Sequence, residues 1–226
     1  MGEIERRIKE KLLAEGACDV GFGYDDNGVA GLKNILSIAV KLSDAVIDEI
    51  SDAPTYTYFH HYRTVNAAID RLLLSAGTEI ERAGYRYIPV AASQSISNGE
   101  NGYDGRYSHK KAAYLSGLGI IGKNNLFLHR KYGARVRLGT LFTDCCFEPA
   151  APITEDFCSG CNKCVDSCPA KAFSGKSREG LFEGVVFDPE KCSNYMKKEF
   201  QKIGRGAVCG ICMRVCEYGK TGGAVK

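Results

Sequence analysis

The sequence predicts an α+β chain in two parts: an N-terminal α/β domain over residues 1–148 and a cysteine-rich domain over residues 149–226. Three observations predict it. Apolar residues alternate between helical and strand-like spacing as far as Thr143. Pro149 and Pro152 then interrupt the chain. Beyond them stand eight of the eleven cysteines, in two spaced runs.

In the first part, Ile4, Ile8 and Leu12 recur every four residues and Gly16 follows, which predicts an opening amphipathic helix. Ala17 to Gly23 reads as a short strand and Ile35 to Leu42 as a buried one. Tyr58 to Ala83 predicts the main helix, with Val65, Ile69, Leu72, Leu73, Ala76 and Ile80 as its apolar stripe and Gly84 as its stop. Tyr85 to Ala92 reads as the next strand. The polar stretch Ser93 to Tyr107 predicts a long loop, either a mobile surface segment or a functional one. His109 to Ser116 reads as helical and runs into a glycine-rich segment, Gly117 to Asn124. Leu126 to His129 and Ala134 to Thr143 read as strands flanking a turn at Lys131-Tyr132-Gly133. The first part holds no internal repeat.

Composition narrows the function classes. Thirty Lys and Arg against 27 Asp and Glu give a net charge of +3. There is no sustained basic run, so nothing points to nucleic acid. The first sixteen residues are charged and lack the apolar core of an export signal, and no window is apolar enough to span a bilayer. A cytoplasmic location is expected, with no membrane association. Eleven cysteines in such a chain argue for metal ligation over disulfides.

The cysteine spacing is the sharpest motif. The first run is Cys158-x2-Cys161-x2-Cys164-x3-Cys168-Pro169, the bacterial ferredoxin signature. Cys192 follows alone, then Cys209-x2-Cys212-x3-Cys216. Eight thiolates are what two [4Fe–4S] clusters require. By analogy with two-cluster ferredoxins, Cys158, Cys161, Cys164 and Cys216 hold one cluster, and Cys168, Cys192, Cys209 and Cys212 hold the other. The crossover brings the clusters close, which suits electron relay. Two such clusters, each of about −2 with its thiolates, would bring the chain to about −1. The competing reading is two structural zinc sites, but zinc pairs usually come as separate knuckles rather than three cysteines in a row. Glu217 stands where a ferredoxin has proline after its last cysteine. Cys18, Cys145 and Cys146 read as small buried residues, with a functional role left open.

Gly117-x-Gly119-x-x-Gly122 fits the dinucleotide fingerprint, with Asp144 at a distance suited to a ribose contact. The context fails, because a helix precedes the segment where that motif needs a strand. The same stretch nearly matches a P-loop, but Asn124 replaces the Mg²⁺-binding hydroxyl. Two readings stay open. The glycines admit a flat or anionic ligand, with Lys123 neutralising a phosphate, or they form a tight turn packing helix on sheet.

The segment Ala113-Tyr-Leu-Ser-Gly-Leu-Gly-Ile-Ile-Gly-Lys-Asn-Asn-Leu126, with Lys131-Tyr-Gly133 and Arg137-Leu-Gly-Thr-Leu-Phe-Thr-Asp144 after it, resembles the epoxyqueuosine reductase family. The resemblance covers roughly residues 85 to 216 and includes the split second cysteine run. It implies kinship with reductive dehalogenases and a nitroreductase-like, reductive dehalogenase-like α/β domain that binds cobalamin, reduced by the clusters. It places Gly117, Leu118, Gly119, Gly122, Lys123 and Asn124 against the corrin or its phosphate tail, with Ser108, Lys110 and Arg137 as further cofactor contacts. No D-x-H-x-x-G motif is present, so the implied cobalamin has no protein axial ligand. The family's V-D-[ST] proton-donor stretch reads Val90-Ala91-Ala92-Ser93-Gln94 here, without an acid. Asp104, His109 and Tyr103 are the substitute catalytic candidates, with Tyr107 comparable. His109 could equally cap its helix or meet a phosphate. The chain ends ten residues after Cys216, without the helical repeats that longer members use for tRNA, so tRNA is a disfavoured partner. The absence of an export signal argues against a respiratory dehalogenase.

The expected activity is reduction of a small substrate, with electrons from an external one-electron donor such as ferredoxin or flavodoxin. The alternative is an electron-transfer or cobalamin-handling protein serving a partner corrinoid protein. A third reading keeps the clusters and places flavin in the α/β domain.

Overall fold

The computed structural model describes residues 2–94, 96, 103–155, 158, 160–176 and 186–218. Of the polar stretch 93–107, residues 95 and 97–102 lie outside the described residues. The elements in chain order are α1 (Glu3–Ala14), β1 (Asp19–Val29), β2 (Leu32–Lys41), α2 (Asp44–Asp48), α3 (Tyr56–Arg82), β3 (Tyr87–Val90), α4 (His109–Leu115), β4 (Gly119–Ile121), β5 (Phe127–His129), β6 (Val136–Thr143), α5 (Lys163–Asp166), α6 (Pro189–Gly204) and α7 (Ile211–Arg214).

Two compact units divide the chain, and neither is continuous in sequence. The first comprises Met1–Lys41, Thr64–Gly119 and Arg137–Ile153; the second comprises Leu42–Arg63, Ile120–Val136 and Thr154–Lys226. The sequence reading drew one cut after residue 148. The fold instead assigns two inserts from the front half, 42–63 and 120–136, to the unit that carries the cysteine runs.

The first unit is built on a sheet ordered β1-β2-β6-β3, with β1 antiparallel to β2 and β3 antiparallel to β6. The predicted strand at Ala17–Gly23 is the start of a longer one. β1 runs on to Val29 and turns into β2 through Ala30 and Gly31, both left-handed at φ 52° and 79°. That two-residue turn matches the sheet's twist, and alanine is a poor residue for it, so local sequence hides it. Register holds from Asp19↔Ala39 to Tyr24↔Asn34, then slips before Val29↔Leu32. The predicted stripe of α3 is buried: Ile69, Leu73, Ala76 and Ile80 are fully covered. Gly84 ends this helix, and Tyr85 N–H returns to the Ile80 carbonyl at 3.2 Å. α1 buries Ile8 and Leu12. It also buries Glu5, whose Oε1 accepts the Glu148 N–H at 2.6 Å. A core of Val29, Leu32, Ile35, Val90, Ala112 and Phe142 joins the sheet to α4.

Close approach in this unit depends on missing side chains. A Cβ on Gly21 would stand 2.3 Å from the Ser116 carbonyl oxygen, so the end of α4 can lie on β1 only over glycine. A Cβ on Gly139 would meet Ile69 Cγ2 at 2.6 Å and Ile38 Cγ1 at 2.9 Å. Both isoleucines are fully buried and cannot move aside cheaply. Gly139→Ala should therefore cost about 1–3 kcal/mol of stability, read as a lower urea midpoint with an unchanged m-value. An unchanged midpoint would mean that the sheet–helix packing is looser than described.

Candidate metal centre

The cysteine runs form short turns in the second unit. Cys161 N–H returns to the Cys158 carbonyl at 3.1 Å, and α5 follows with Cys164 inside it. Cys168 closes that helix with a hydrogen bond to the Val165 carbonyl, and its Sγ accepts the Ala172 N–H at 3.5 Å. Cys192 lies in the first turn of α6, where Asp188 caps the helix by accepting the Lys191 N–H and Pro189 fills the first position. Cys209 precedes Gly210, which begins α7 in a left-handed conformation at φ 84°. A Cβ there would meet Ile50 Cδ1 at 2.6 Å, so only glycine serves both the turn and the packing.

The electrostatic coupling of the thiols sorts them. Burial pushes Cys216 up to about 11, and Cys158, Cys164 and Cys161 add to the shift. Cys164 is raised by burial, then by Cys158 and Cys161. Burial likewise pushes Cys192 up to about 11, with Cys209 and Cys168 adding. Cys209 is raised by burial and then by Cys168. Cys212 is raised well above its ordinary range by burial, then by Cys209, Cys192, Cys164 and Cys168. The couplings thus link Cys216 and Cys164 with Cys158 and Cys161, link Cys192, Cys209 and Cys212 with Cys168, and also link Cys212 with Cys164. Among the described residues no three His, Cys, Asp or Glu side chains come close enough to hold one metal ion. The donor set, soft thiols throughout, suits an iron–sulfur cubane.

Two residues expected against a cofactor instead hold these turns. Lys123 Nζ donates to the Cys161 carbonyl at 3.1 Å and to Asn162 Oδ1 at 3.3 Å. Asn124 Nδ2 donates to the Cys212 carbonyl at 3.4 Å, while its Oδ1 accepts the Leu126 N–H at 3.1 Å. Within the same unit, Arg135, almost fully buried, donates to Asp44 Oδ1 at 3.0 Å and to Asp48 Oδ1 at 2.6 Å. Sequence reading missed this pair. The i, i+4 spacing of the two acids on α2 was its only local signal.

The other predicted residues lie mostly in the first unit. His109 opens α4 with both ring nitrogens committed. Nε2 lies 3.0 Å from the Ala91 carbonyl, which can only accept, so Nε2 carries the proton. Nδ1, 2.8 Å away from Thr140 Oγ1, then accepts from that hydroxyl. Burial holds His109 below its ordinary range, and Arg137 adds to the effect. The ring is thus neutral and offers no nitrogen to a substrate. Ser108 caps α4 by accepting the Lys111 N–H, and Lys110 lies half-buried on the same helix. Arg137 donates to Asn66 Oδ1 at 3.0 Å and to the Ala92 carbonyl at 3.3 Å. Tyr103 and Asp104 are exposed. Leu118 is buried against Gly21, and Gly119 starts β4. A Cβ on Gly117 would meet Ala150 and Ala151, and one on Gly122 would meet Leu128 Cδ1 at 2.8 Å. At Gly117 and Gly122 the tight packing is what the turn reading asks for.

Sequence reading did not foresee a polar cluster around Asp25. Tyr107 donates its hydroxyl to Asp25 Oδ2, and Lys111 Nζ pairs with the same oxygen. The Tyr107 ring stands edge-on to Phe142. Burial, then Asp25, raises the Tyr107 phenol well above its usual range.

Comparison with known proteins agrees with the geometry. Residues 157–219 match the family described as a 4Fe-4S double cluster binding domain. The C-terminal part of this chain is thus a double-cluster iron–sulfur domain. About half of the chain is similar in sequence to epoxyqueuosine reductases and reductive dehalogenases. It is 33% identical to the epoxyqueuosine reductase of Bacillus cereus over 125 residues, which covers 51% of this chain and 30% of that protein. It is 32% identical to a tetrachloroethene reductive dehalogenase of Desulfitobacterium hafniense over 123 residues, 48% of this chain and 21% of that protein. These curated relatives are therefore matched over a third of their length or less. Among solved structures, a catabolic reductive dehalogenase superposes with a TM-score of 0.76 at 20% identity, over 95% of this chain and 32% of that one. The epoxyqueuosine reductase of Streptococcus thermophilus superposes at 0.64 and 20% identity, over 97% of this chain and 67% of that one. The expected mixed α/β fold is thus the fold of these proteins. Among the described residues no helix is long and apolar enough to cross a membrane.

The locked imidazole gives a pH signature. Its folded pKa lies below the unfolded value near 6.5, so the unfolded state binds the proton more readily at acid pH. The stabilisation from neutral His109 is complete above about 6.5 and is lost as pH falls through the depressed folded value. The urea midpoint should fall with pH below about 6.5, and less steeply in His109→Gln. Equal slopes in the two proteins would place the titrating group elsewhere.

Proposed function

We propose that this chain is an iron–sulfur oxidoreductase that passes single electrons through two [4Fe–4S] clusters. Cys158, Cys161, Cys164 and Cys216 would hold one cluster, and Cys168, Cys192, Cys209 and Cys212 the other. One observation carries the proposal: all eight cysteines fall within residues 157–219, the stretch that matches a 4Fe-4S double cluster binding domain. When bound, the clusters supply reversible one-electron transfer. The chain's own residues shape that supply. The Ala172 N–H donates to Cys168 Sγ, and the Lys123 ammonium brings positive charge to the Cys161 turn. Both effects raise a cluster's tendency to accept an electron.

The finer proposal names cobalamin as acceptor and a small molecule as substrate. A reductive dehalogenase of the same fold, matched at a TM-score of 0.74, is described as suggesting a mechanism for B12-dependent dehalogenation. Lys123, Asn124, Arg137 and His109 have their polar atoms engaged within the chain, and packing occupies Gly117 and Gly122. A corrinoid held by these residues would rest on backbone or exchange those bonds, and no step is routed through one. The same observation favours a second reading, in which the chain delivers electrons to a separate corrinoid protein and performs no substrate chemistry itself.

Anaerobic reconstitution followed by gel filtration with hydroxocobalamin separates the outcomes. Both readings require about eight irons per chain, falling to about four in Cys212→Ser or Cys161→Ser. Cobalt co-eluting at about one per chain supports the cobalamin reading. Iron without cobalt, together with reduction of an added corrinoid protein, supports electron delivery. Zinc in place of iron defeats both.

A further inference from the structure

The helix that carries Cys192 has a charged outer face. On α6, Lys191, Lys198 and Lys202 are exposed, and so is Arg205, the left-handed residue that follows the helix. Spacings of seven and four residues place the three lysines on one stripe of the helix. The opposite side is apolar: Phe200 is buried and packs edge-on to Tyr195, and Gly204 is buried against Val208 and Phe59. Lys191 pairs with the cap Asp188 at 3.2 Å, and Lys198 meets its neighbour Glu199 at 3.3 Å. Both lysines are mostly exposed, with side-chain accessibilities of 63% and 81%, so these pairs neutralise the stripe weakly.

A solvated charged face is common, but this one lies on the element that presents a cluster cysteine. Charge placed there acts where an electron must enter. We propose that the α6 stripe is the docking surface for a small acidic electron-carrier protein. The proposal rests on the iron–sulfur reading above. The step is simple to balance. The reduced carrier loses one electron, one cluster gains it, and no bond or proton moves. Complementary charge at such an interface raises the encounter rate and fixes orientation more than it raises affinity. Exposed charges act through a screening length of about 10 Å at 0.1 M salt, so the rate must fall as salt rises. A nucleic acid is the other polyanion that such a stripe could meet. The stripe carries no exposed aromatic for base stacking, since Tyr195 packs on Phe200, and the whole chain has a net charge of only +3.

The test uses the reconstituted full chain and its Lys198→Glu/Lys202→Glu double variant in a stopped-flow instrument. A reduced, strongly acidic bacterial ferredoxin is the probe, and dithionite is the small-molecule control. The native chain should be reduced by ferredoxin at a rate that drops steeply between 50 and 300 mM salt. The variant should be slower by about tenfold or more at low salt, with a flattened salt dependence. Dithionite should reduce both fully, which shows that the clusters are intact and separates failure of this proposal from failure of the iron–sulfur reading. Equal ferredoxin rates and salt slopes in the two proteins would overturn it. So would tRNA binding lost in the variant while the ferredoxin rate is unchanged. If the double variant loses iron, Arg205→Gln is assayed the same way, with a smaller slowing expected and no change overturning the proposal.

Discussion

Buried sulfur without a counter-charge is the constraint from which the second unit follows. Removing a thiol from water opposes its ionisation, and like-charged neighbours oppose it further. Cys212, Cys192 and Cys216 are raised on both counts. Cys164 and Cys209 are raised by burial too, and five such groups in one small unit would be a poor core if they stayed thiols, because sulfur packs like a small apolar atom but cannot fill a layer by itself. A cationic iron core reverses the balance. It supplies the positive charge that makes each thiolate favourable, and it binds the turns to one another. Folding of this unit and loading of its clusters are therefore one equilibrium.

The turns that present the sulfurs are short, and the rest of the unit braces them. Lys123 and Asn124 reach the carbonyls of Cys161 and Cys212, one residue from each run. Gly210 allows the Cys209 turn to press on Ile50. Arg135 ties Asp44 and Asp48 of α2 to the strand side of the unit. These braces come from 42–63 and 120–136, which is why the compact unit is discontinuous in sequence. A chain cut at residue 148 would remove Lys123, Asn124, Arg135 and Ile50 from the cysteine runs together.

Much of this was legible from the residues, and the failures have physical causes. Helical period and a terminal glycine located α3, and strand-like runs located β2, β3 and β6 with boundaries a few residues off. β1 was read short because its second half, Tyr24 to Gly28, is polar and bends, and because Ala30 is an unexpected turn residue. The cysteine spacing pointed to a double-cluster domain, and residues 157–219, which hold all eight of those cysteines, match one. Lys123 and Asn124 were legible as functional but not as braces. Their partners lie 38 and 88 residues away, a separation that local pattern cannot reveal. His109 was read as an open choice between acid and scaffold. The choice needed Thr140 and Ala91, which only the fold brings to its ring.

The central claim is that two four-sulfur sites exist and are near enough to couple through Cys164 and Cys212. Electron paramagnetic resonance of the fully reduced, anaerobically reconstituted chain tests it most directly. Two neighbouring reduced cubanes should broaden and split each other's signals, and Cys212→Ser should leave a single uncoupled spectrum. Two sharp, independent signals in the native chain would contradict the proximity, and a spectrum with no reduced-cluster signal would contradict the sites themselves.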